Sequence, residues 1–328
     1  MPLDVPDGTP DRGVAIVYVC ISLITLTSLA TAVRVISKFV TKQAWWWDDL
    51  FALLAYVCNT VLVSLSIYGR TLGLGLHLVE LLSRDPRIAM KIARCMFIGI
   101  PVFDCAITFP KLSAVLFYAR VFRIGNSTRP GPSLFRIQLW IAGLLATAWL
   151  IATFIAHWFR CRPLAKEWNP LLPGHCQSRY TQYVASGAAS AAINLYILIL
   201  PVPLIWRLKA SLRRRLYLLA TFFLTYSVIL LSVGRLVIII GLQRSVYVDL
   251  TWDLMPYFCW SQLEASLSII SLSVPPGIAL FKALRRRPRL GPSEIGGSQS
   301  RSAAAKSGNG STLAWFWADS LEMFSRPG

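Results

Sequence analysis

Four ionisable side chains stand inside otherwise apolar stretches of the chain: Asp104, Lys111, Arg235 and Glu264. Asn59 and Asn194 are the uncharged polar additions to the same kind of stretch. A charged group in an apolar medium costs roughly 2.5–3.5 kcal/mol or more, so it is kept only where it is paired or used. Two carboxylates and two cations allow two kinds of chemistry. One is a polar pocket that holds a ligand or a proton between helices. The other is a set of interhelical pairs, such as Arg235 with Glu264, that fixes the packing. Asp104 and Glu264 are also an acid and a base in principle, but no nucleophile triad or metal set accompanies them. His175 beside Cys176 has no second His/Cys pair at zinc spacing. Neither a metal nor a cofactor is expected.

The elements that must position these residues follow from composition. The chain has 328 residues, of which 55% are hydrophobic and only 15% charged, where soluble domains run near ~25% charged. The mean hydropathy is +0.56. Such a chain cannot cover its apolar surface in water, which excludes a soluble enzyme, a disordered protein and a small secreted disulfide scaffold. Seven Cys are too few for the last. Seven apolar runs, about 13–37, 49–68, 93–119, 137–158, 180–206, 216–242 and 255–281, each approach or exceed the ~20 residues with which a helix crosses a bilayer. They are too long and too uniformly apolar for barrel strands. The expectation is an all-α membrane protein, a bundle of seven transmembrane helices over 13–281.

The net charge of +18 raises nucleic-acid binding as one reading, but the basic residues lie mainly between apolar runs, as in the inner loops of a membrane protein. No nucleic acid is expected as a partner; membrane lipid is. The runs Arg213–Arg215 and Arg285–Arg287 carry most of the bias. They place the short acidic N-terminus, 1–12, outside and the C-terminus in the cytoplasm. Met1 to Arg12 lacks the basic region of a cleavable signal, so the first span is expected to act as an uncleaved anchor. The tail, 282–328, is basic, and its stretch from Pro288 to Ser311, rich in Gly, Ser and Ala, predicts disorder. Apolar and aromatic residues return over 313–324 and read either as a short helix on the inner membrane face or as a docking peptide.

Counting ~1.5 Å per residue from the outer helix ends puts Asp104, Arg235, Glu264 and Asn59 in one layer, roughly 10–15 Å deep. The same count puts Lys111 and Asn194 deeper, at roughly 21–26 Å. Trp45-Trp46-Trp47 fits an interfacial belt, and Asp48-Asp49 fits a helix start, where carboxylates cap free N–H groups. Cys161 and Cys176 flank the outer loop between the fourth and fifth spans. A disulfide is expected there, because thiols on that side are exposed to oxidation; the other reading is two free thiols.

Several short motifs occur in order over about 15–285. They are Trp47-Asp48-Asp49, Gly73-Leu74-Gly75-Leu76-His77, Pro110-Lys111-Leu112-Ser113 with Phe117-Tyr118-Ala119-Arg120, the Cys161…Cys176 loop, Pro201-Val202-Pro203, and Asp249-Leu250-Thr251-Trp252 with Trp260-Ser261 and Glu264. In these the chain resembles the fungal rhodopsin-domain family of integral membrane proteins (satratoxin-cluster protein 4 type). The resemblance implies seven helices, a receptor-like architecture and an association with fungal secondary-metabolite clusters. The family commonly has Asp seven residues before Pro-x-Pro, where this chain has Asn194.

A receptor-like protein that binds or senses a small lipophilic molecule is the leading functional expectation. A membrane enzyme or carrier acting on a lipophilic metabolite is the alternative. A retinal pump is not expected: the last span, Met255 to Phe281, contains no lysine for a Schiff base, and Lys282 stands at its rim. Coupling to a G protein has no support in the motifs: Tyr118-Ala119-Arg120 is a loose likeness of the animal-receptor switch, and Ser273-Val274-Pro275-Pro276 replaces the usual Asn-Pro.

The orientation has a direct consequence. Asn126-Ser127-Thr128 and Asn309-Gly310-Ser311 both fit the N-glycosylation pattern, and both fall on the cytoplasmic side. Glycosidase treatment of protein from a fungal host is expected to leave gel mobility unchanged. A shift abolished by Asn126→Gln or Asn309→Gln would invert the topology.

Overall fold

The computed structural model describes residues 13–77, 86–124, 133–169, 172–202, 212–241 and 250–285. The N-terminal segment 1–12, both glycosylation patterns, Pro203, Asp249 and the aromatic tail over 313–324 lie outside the described residues.

Among the described residues, seven helices are long and apolar enough to cross a membrane. They are α1 (Gly13–Val40), α2 (Trp47–Thr71), α3 (Pro86–Ile124), α4 (Ser133–Trp158), α5 (Arg179–Ile199), α6 (Leu212–Gly241) and α7 (Met255–Arg285). A single helical turn, Leu250–Asp253, precedes α7. The run expected to span 180–206 is helical as α5 only to Ile199. Pro201 follows, and a residue without an N–H cannot extend the ladder. α2 and α3 extend past their apolar runs at both ends, and α1, α4, α6 and α7 at one end.

Consecutive helices pack side by side, and α7 returns to lie along α1, which closes the ring. α3 also touches α5 and α7 and so runs through the middle. Small residues are sealed where it packs: Ala106 on α3 and Ala142 and Ala146 on α4 are fully buried in one core cluster. Lipid tails are as apolar as Leu, so helices in a bilayer associate through such close backbone packing rather than by exclusion of water. Large apolar side chains point outward instead. Trp140, Leu144 and Ile151 of α4 and Leu29 and Phe39 of α1 are exposed on the outer face of the ring.

At one end, the link between α4 and α5 forms a small cap. Strands β1 (Cys161–Arg162) and β2 (His175–Cys176) pair antiparallel, and Cys161 and Cys176 are joined by a disulfide. Inside the loop the buried Glu167 takes Arg160 as an ion-pair partner and Arg179 at 3.1 Å. Burial, aided by the Arg179 charge, lowers the Arg160 guanidinium to about 10. Trp168 packs edge-on against Phe97 of α3, which fixes the cap to the bundle. At the same end Gly73 and Gly75 adopt φ of 98° and 102°, left-handed values that glycine adopts without steric cost. They turn the chain back so that Leu76 is buried and its carbonyl accepts the Thr251 hydroxyl at 2.9 Å. His77 then stacks on Trp252, with ring centroids 4.3 Å apart.

The opposite end is held by charge. Arg34 of α1 donates to Asp48 Oδ2 at 3.0 Å and to Asp49 Oδ1 at 2.9 Å. Lys38 reaches Asp49 Oδ2 at 2.7 Å. Arg120 of α3 reaches Asp48 Oδ1 at 3.3 Å and lies over the Trp46 ring. All five side chains are buried. Pro276 in α7 has no N–H to offer the Leu272 carbonyl one turn earlier, and Arg34 Nη1 donates to that carbonyl at 2.7 Å. Ser37 donates to the Pro276 carbonyl. The expected role of the Asp pair as a helix cap accounts for one bond, from the Trp46 N–H to Asp49 Oδ2 at 3.3 Å. Its main role is to neutralise three cations from two other helices.

Removing one partner of such a cluster leaves the rest buried and uncompensated. Arg34→Met is expected to destabilise the protein by ~3–5 kcal/mol. Arg34→Lys should restore only part of this, because an ammonium cannot reach two carboxylates and a carbonyl in one plane. Thermal unfolding in detergent or nanodiscs checks both, and an unchanged Arg34→Met would contradict the cluster's role.

Candidate functional site

The polar residues inside the bundle form three stations. The first joins α5, α6 and α7. Glu264 is 1% exposed and Arg235 2%, so both charges are sealed in protein. Arg235 Nε donates to Glu264 Oε2 at 2.8 Å, and Arg235 Nη1 donates to the Tyr257 hydroxyl at 3.3 Å. The Ser232 hydroxyl donates to Glu264 Oε1 at 2.5 Å and accepts from Asn194 Nδ2 at 2.7 Å. The contact depends on Gly234: a Cβ there would overlap the Trp260 ring, so glycine lets α6 and α7 come together one residue away from Arg235.

This relay also accounts for the Asn194 departure. An amide donates to Ser232, which frees the serine hydroxyl to donate to Glu264. A carboxylate at 194 has no N–H for that bond and would set a second negative charge beside Glu264.

The second station joins α3 to α4 and α5. Lys111 donates to the Ser190 hydroxyl of α5 at 2.7 Å and lies 5.0 Å from the centre of the Trp149 ring. Asp104, two turns away on α3, has its carboxyl group against Thr153 of α4. Arg235 of the first station also touches α3, with its guanidinium 5.1 Å from the centre of the Phe103 ring, next to Asp104 in sequence. The third station is separate: Asn59 Oδ1 accepts from Gln262 Nε2 at 2.9 Å and from Ser266 at 3.4 Å, which ties α2 to α7.

The depth count requires one correction. Asn194, expected well below Glu264, joins it through Ser232, whereas Asn59 bonds to Gln262 and Ser266, which bracket Glu264 along α7, and so lies at its level on another face of that helix. Helix ends are staggered, so residues counted from their own helix ends do not share a common zero. Lys111 likewise meets Ser190, four residues before Asn194 on α5. The structure therefore places Asp104, Lys111, Asn194, Arg235 and Glu264 around the α3–α5–α6–α7 centre, with Asn59 apart. Ser190, Ser232, Tyr257 and Gln262 were not singled out in the sequence. Hydroxyls and a lone amide are common in membrane helices, and only the partner across the interface distinguishes them.

Within these three stations, Arg235 Nη2 and Asn59 Nδ2 are buried donors with no partner among the described residues; Gln43 Nε2 and Arg160 Nη1, outside the stations, are in the same state. A buried unsatisfied donor costs ~1–3 kcal/mol, and such groups ordinarily meet water or a ligand oxygen.

If Arg235 and Glu264 hold α6 to α7, Glu264→Gln and Arg235→Gln each lose stability, by ~3–5 kcal/mol. The double substitution should recover part of the sum. Unfolding of all four proteins measures the coupling, and strict additivity would dissolve the pair.

Comparison with known proteins agrees with this architecture. The Fungal rhodopsin domain matches residues 33–283. A SAT4 family membrane protein of Emericella nidulans is 31% identical over 176 residues, 54% of this chain and 41% of that protein. The polyenoic acids biosynthesis gene cluster protein Ba17b of Metarhizium anisopliae is 23% identical over 262 residues, 75% of this chain and 68% of its own. The Satratoxin biosynthesis SC1 cluster protein 4 of Stachybotrys chartarum is 24% identical over 190 residues, 57% of this chain and 63% of its own. The chain thus spans well under half of the Emericella protein. No solved structure matches. With the domain matched from the middle of α1 to the end of α7, this multi-pass membrane protein belongs to the fungal rhodopsin domain family.

Proposed function

We propose that the chain is a receptor-like membrane protein that binds or senses a small lipophilic molecule at the polar centre of its bundle, in association with a fungal secondary-metabolite pathway. The observation that carries this reading is the central network around Arg235. It holds a sealed ion pair, a second buried cation and carboxyl group, and an N–H of Arg235 with no partner. The names of two relatives refer to biosynthetic gene clusters, which supports a lipophilic metabolite as the molecule in question.

Binding rather than turnover is favoured by the state of Glu264. Its oxygens accept from Ser232 and from Arg235, which aims the carboxylate at α6, whereas a general base is aimed at the proton it takes.

The test uses the full chain in lipid nanodiscs, challenged with fractions of an organic extract from a metabolite-producing fungal culture. Saturable thermal stabilisation by a molecule that mass spectrometry recovers unchanged, weakened at least tenfold by Lys111→Gln, is the expected result. Conversion of the molecule would make the protein an enzyme. Accumulation inside sealed vesicles would make it a carrier.

A further inference from the structure

We infer that the polar face formed by Asp104, Lys111 and Arg235 selects a neutral, oxygenated lipophilic molecule, carrying a carbonyl-type acceptor and a hydroxyl donor, over a carboxylate or an amine. The inference rests on the reading of this centre as a ligand site and adds the chemical class.

Charge is the first argument. The centre holds two carboxyl groups, Asp104 and Glu264, and two basic groups, Lys111 and Arg235, all buried. Their formal sum is zero, and moving a proton from Lys111 to Asp104 leaves it at zero. An ionic ligand would bring in one charge with no counterion left for it, which is strongly unfavourable in a buried site.

The inventory of hydrogen bonds is the second argument. Glu264 accepts one bond on each oxygen, from Ser232 and from Arg235. Arg235 spends Nε on Glu264 and Nη1 on Tyr257, while its Nη2 has no partner. Lys111 has three N–H groups and spends one on Ser190. Neither Lys111 nor Asp104 forms an ion pair among the described residues. The unused capacity is therefore several donors on the two cations and acceptor capacity on Asp104. A ketone, ester or ether oxygen satisfies the first and a hydroxyl satisfies the second.

The walls and the access complete the case. Phe103, Trp149 and Tyr257 surround the two cations with ring faces, which suits an apolar skeleton. Asp104 and Lys111 keep 5% and 7% of their surface, against 1% for Glu264 and 2% for Arg235. The sealed pair holds the helices together, and the less sealed pair faces the guest.

Four probes on one skeleton test this: decalin bearing a ketone and a hydroxyl, decalin carboxylate, a decalin ammonium, and decalin itself. Affinity for the full chain in nanodiscs is read as saturable thermal stabilisation. The keto-alcohol is expected to bind at least tenfold more tightly than the other three. Asp104→Asn leaves the centre one charge positive and should raise carboxylate affinity at least tenfold. Lys111→Gln should do the same for the ammonium probe. A gain of affinity cannot arise from misfolding, and if either variant fails to fold, the wild-type ranking decides. Tightest wild-type binding by the carboxylate or the amine, altered by these substitutions, would overturn the ligand class and leave the site standing. Saturation by no probe, or binding indifferent to both substitutions, would overturn the class and the site together.

Discussion

Arg34 carries three obligations at once, and much of the bundle follows from how it meets them. Its guanidinium bridges Asp48 and Asp49 at the start of α2 and takes the Leu272 carbonyl that Pro276 leaves without a donor in α7. A charge buried away from water must be paired, and a carbonyl buried away from water must find a donor. One planar group with a fixed fork of five donors satisfies both. Lys38 and Arg120 add to the same carboxylates, so the ends of α1, α2, α3 and α7 are set by one cluster. The proline break in α7 is tolerated because α1 repairs it.

The opposite end is fixed by different means. A disulfide-closed hairpin is seated on α3 through Trp168 and Phe97, and a glycine-shaped turn is tied to the turn before α7 through Leu76, His77, Thr251 and Trp252. Between the two ends, the centre is held by the Arg235–Glu264 pair with its serine-asparagine relay, by Lys111 on Ser190 and by Asn59 on Gln262. α7 passes through all three regions, with Thr251 and Trp252 just before its start, Glu264 in the middle and Leu272 near the cluster. Any molecule that displaces Glu264 or Arg235 acts on the helix that also reaches the Arg34 cluster.

Much of this was legible residue by residue. The seven spans follow from runs that no soluble core explains, and the disulfide pairs the cysteines of the one loop where two stand close in sequence. Arg235 and Glu264 stood out as charges on sequential helices, which tend to be neighbours, and the structure brings them into contact. Asp48 and Asp49 were also visible, but as cap residues. Their partners Arg34 and Lys38 look like ordinary flanking basic residues at a helix end, and Arg120 lies seventy residues further on. The stagger of the helices has no signature in the sequence, so the count from helix ends puts Asn194 below the Glu264 that it joins through Ser232.

The sequence by itself determined the solvent, the number of crossings, the loop that is cross-linked and the polar residues that needed an explanation. These depend on composition, run length and short-range spacing, which one strand of residues contains. The tertiary structure alone decided which polar groups meet. Hydrogen bonds and ion pairs require atoms within about 3 Å, and that distance is set by helix rotation, stagger and the close approach allowed at Gly234. Which side of a buried network remains unsatisfied is likewise a property of the assembled bundle, since every donor in the unfolded chain has water as its partner.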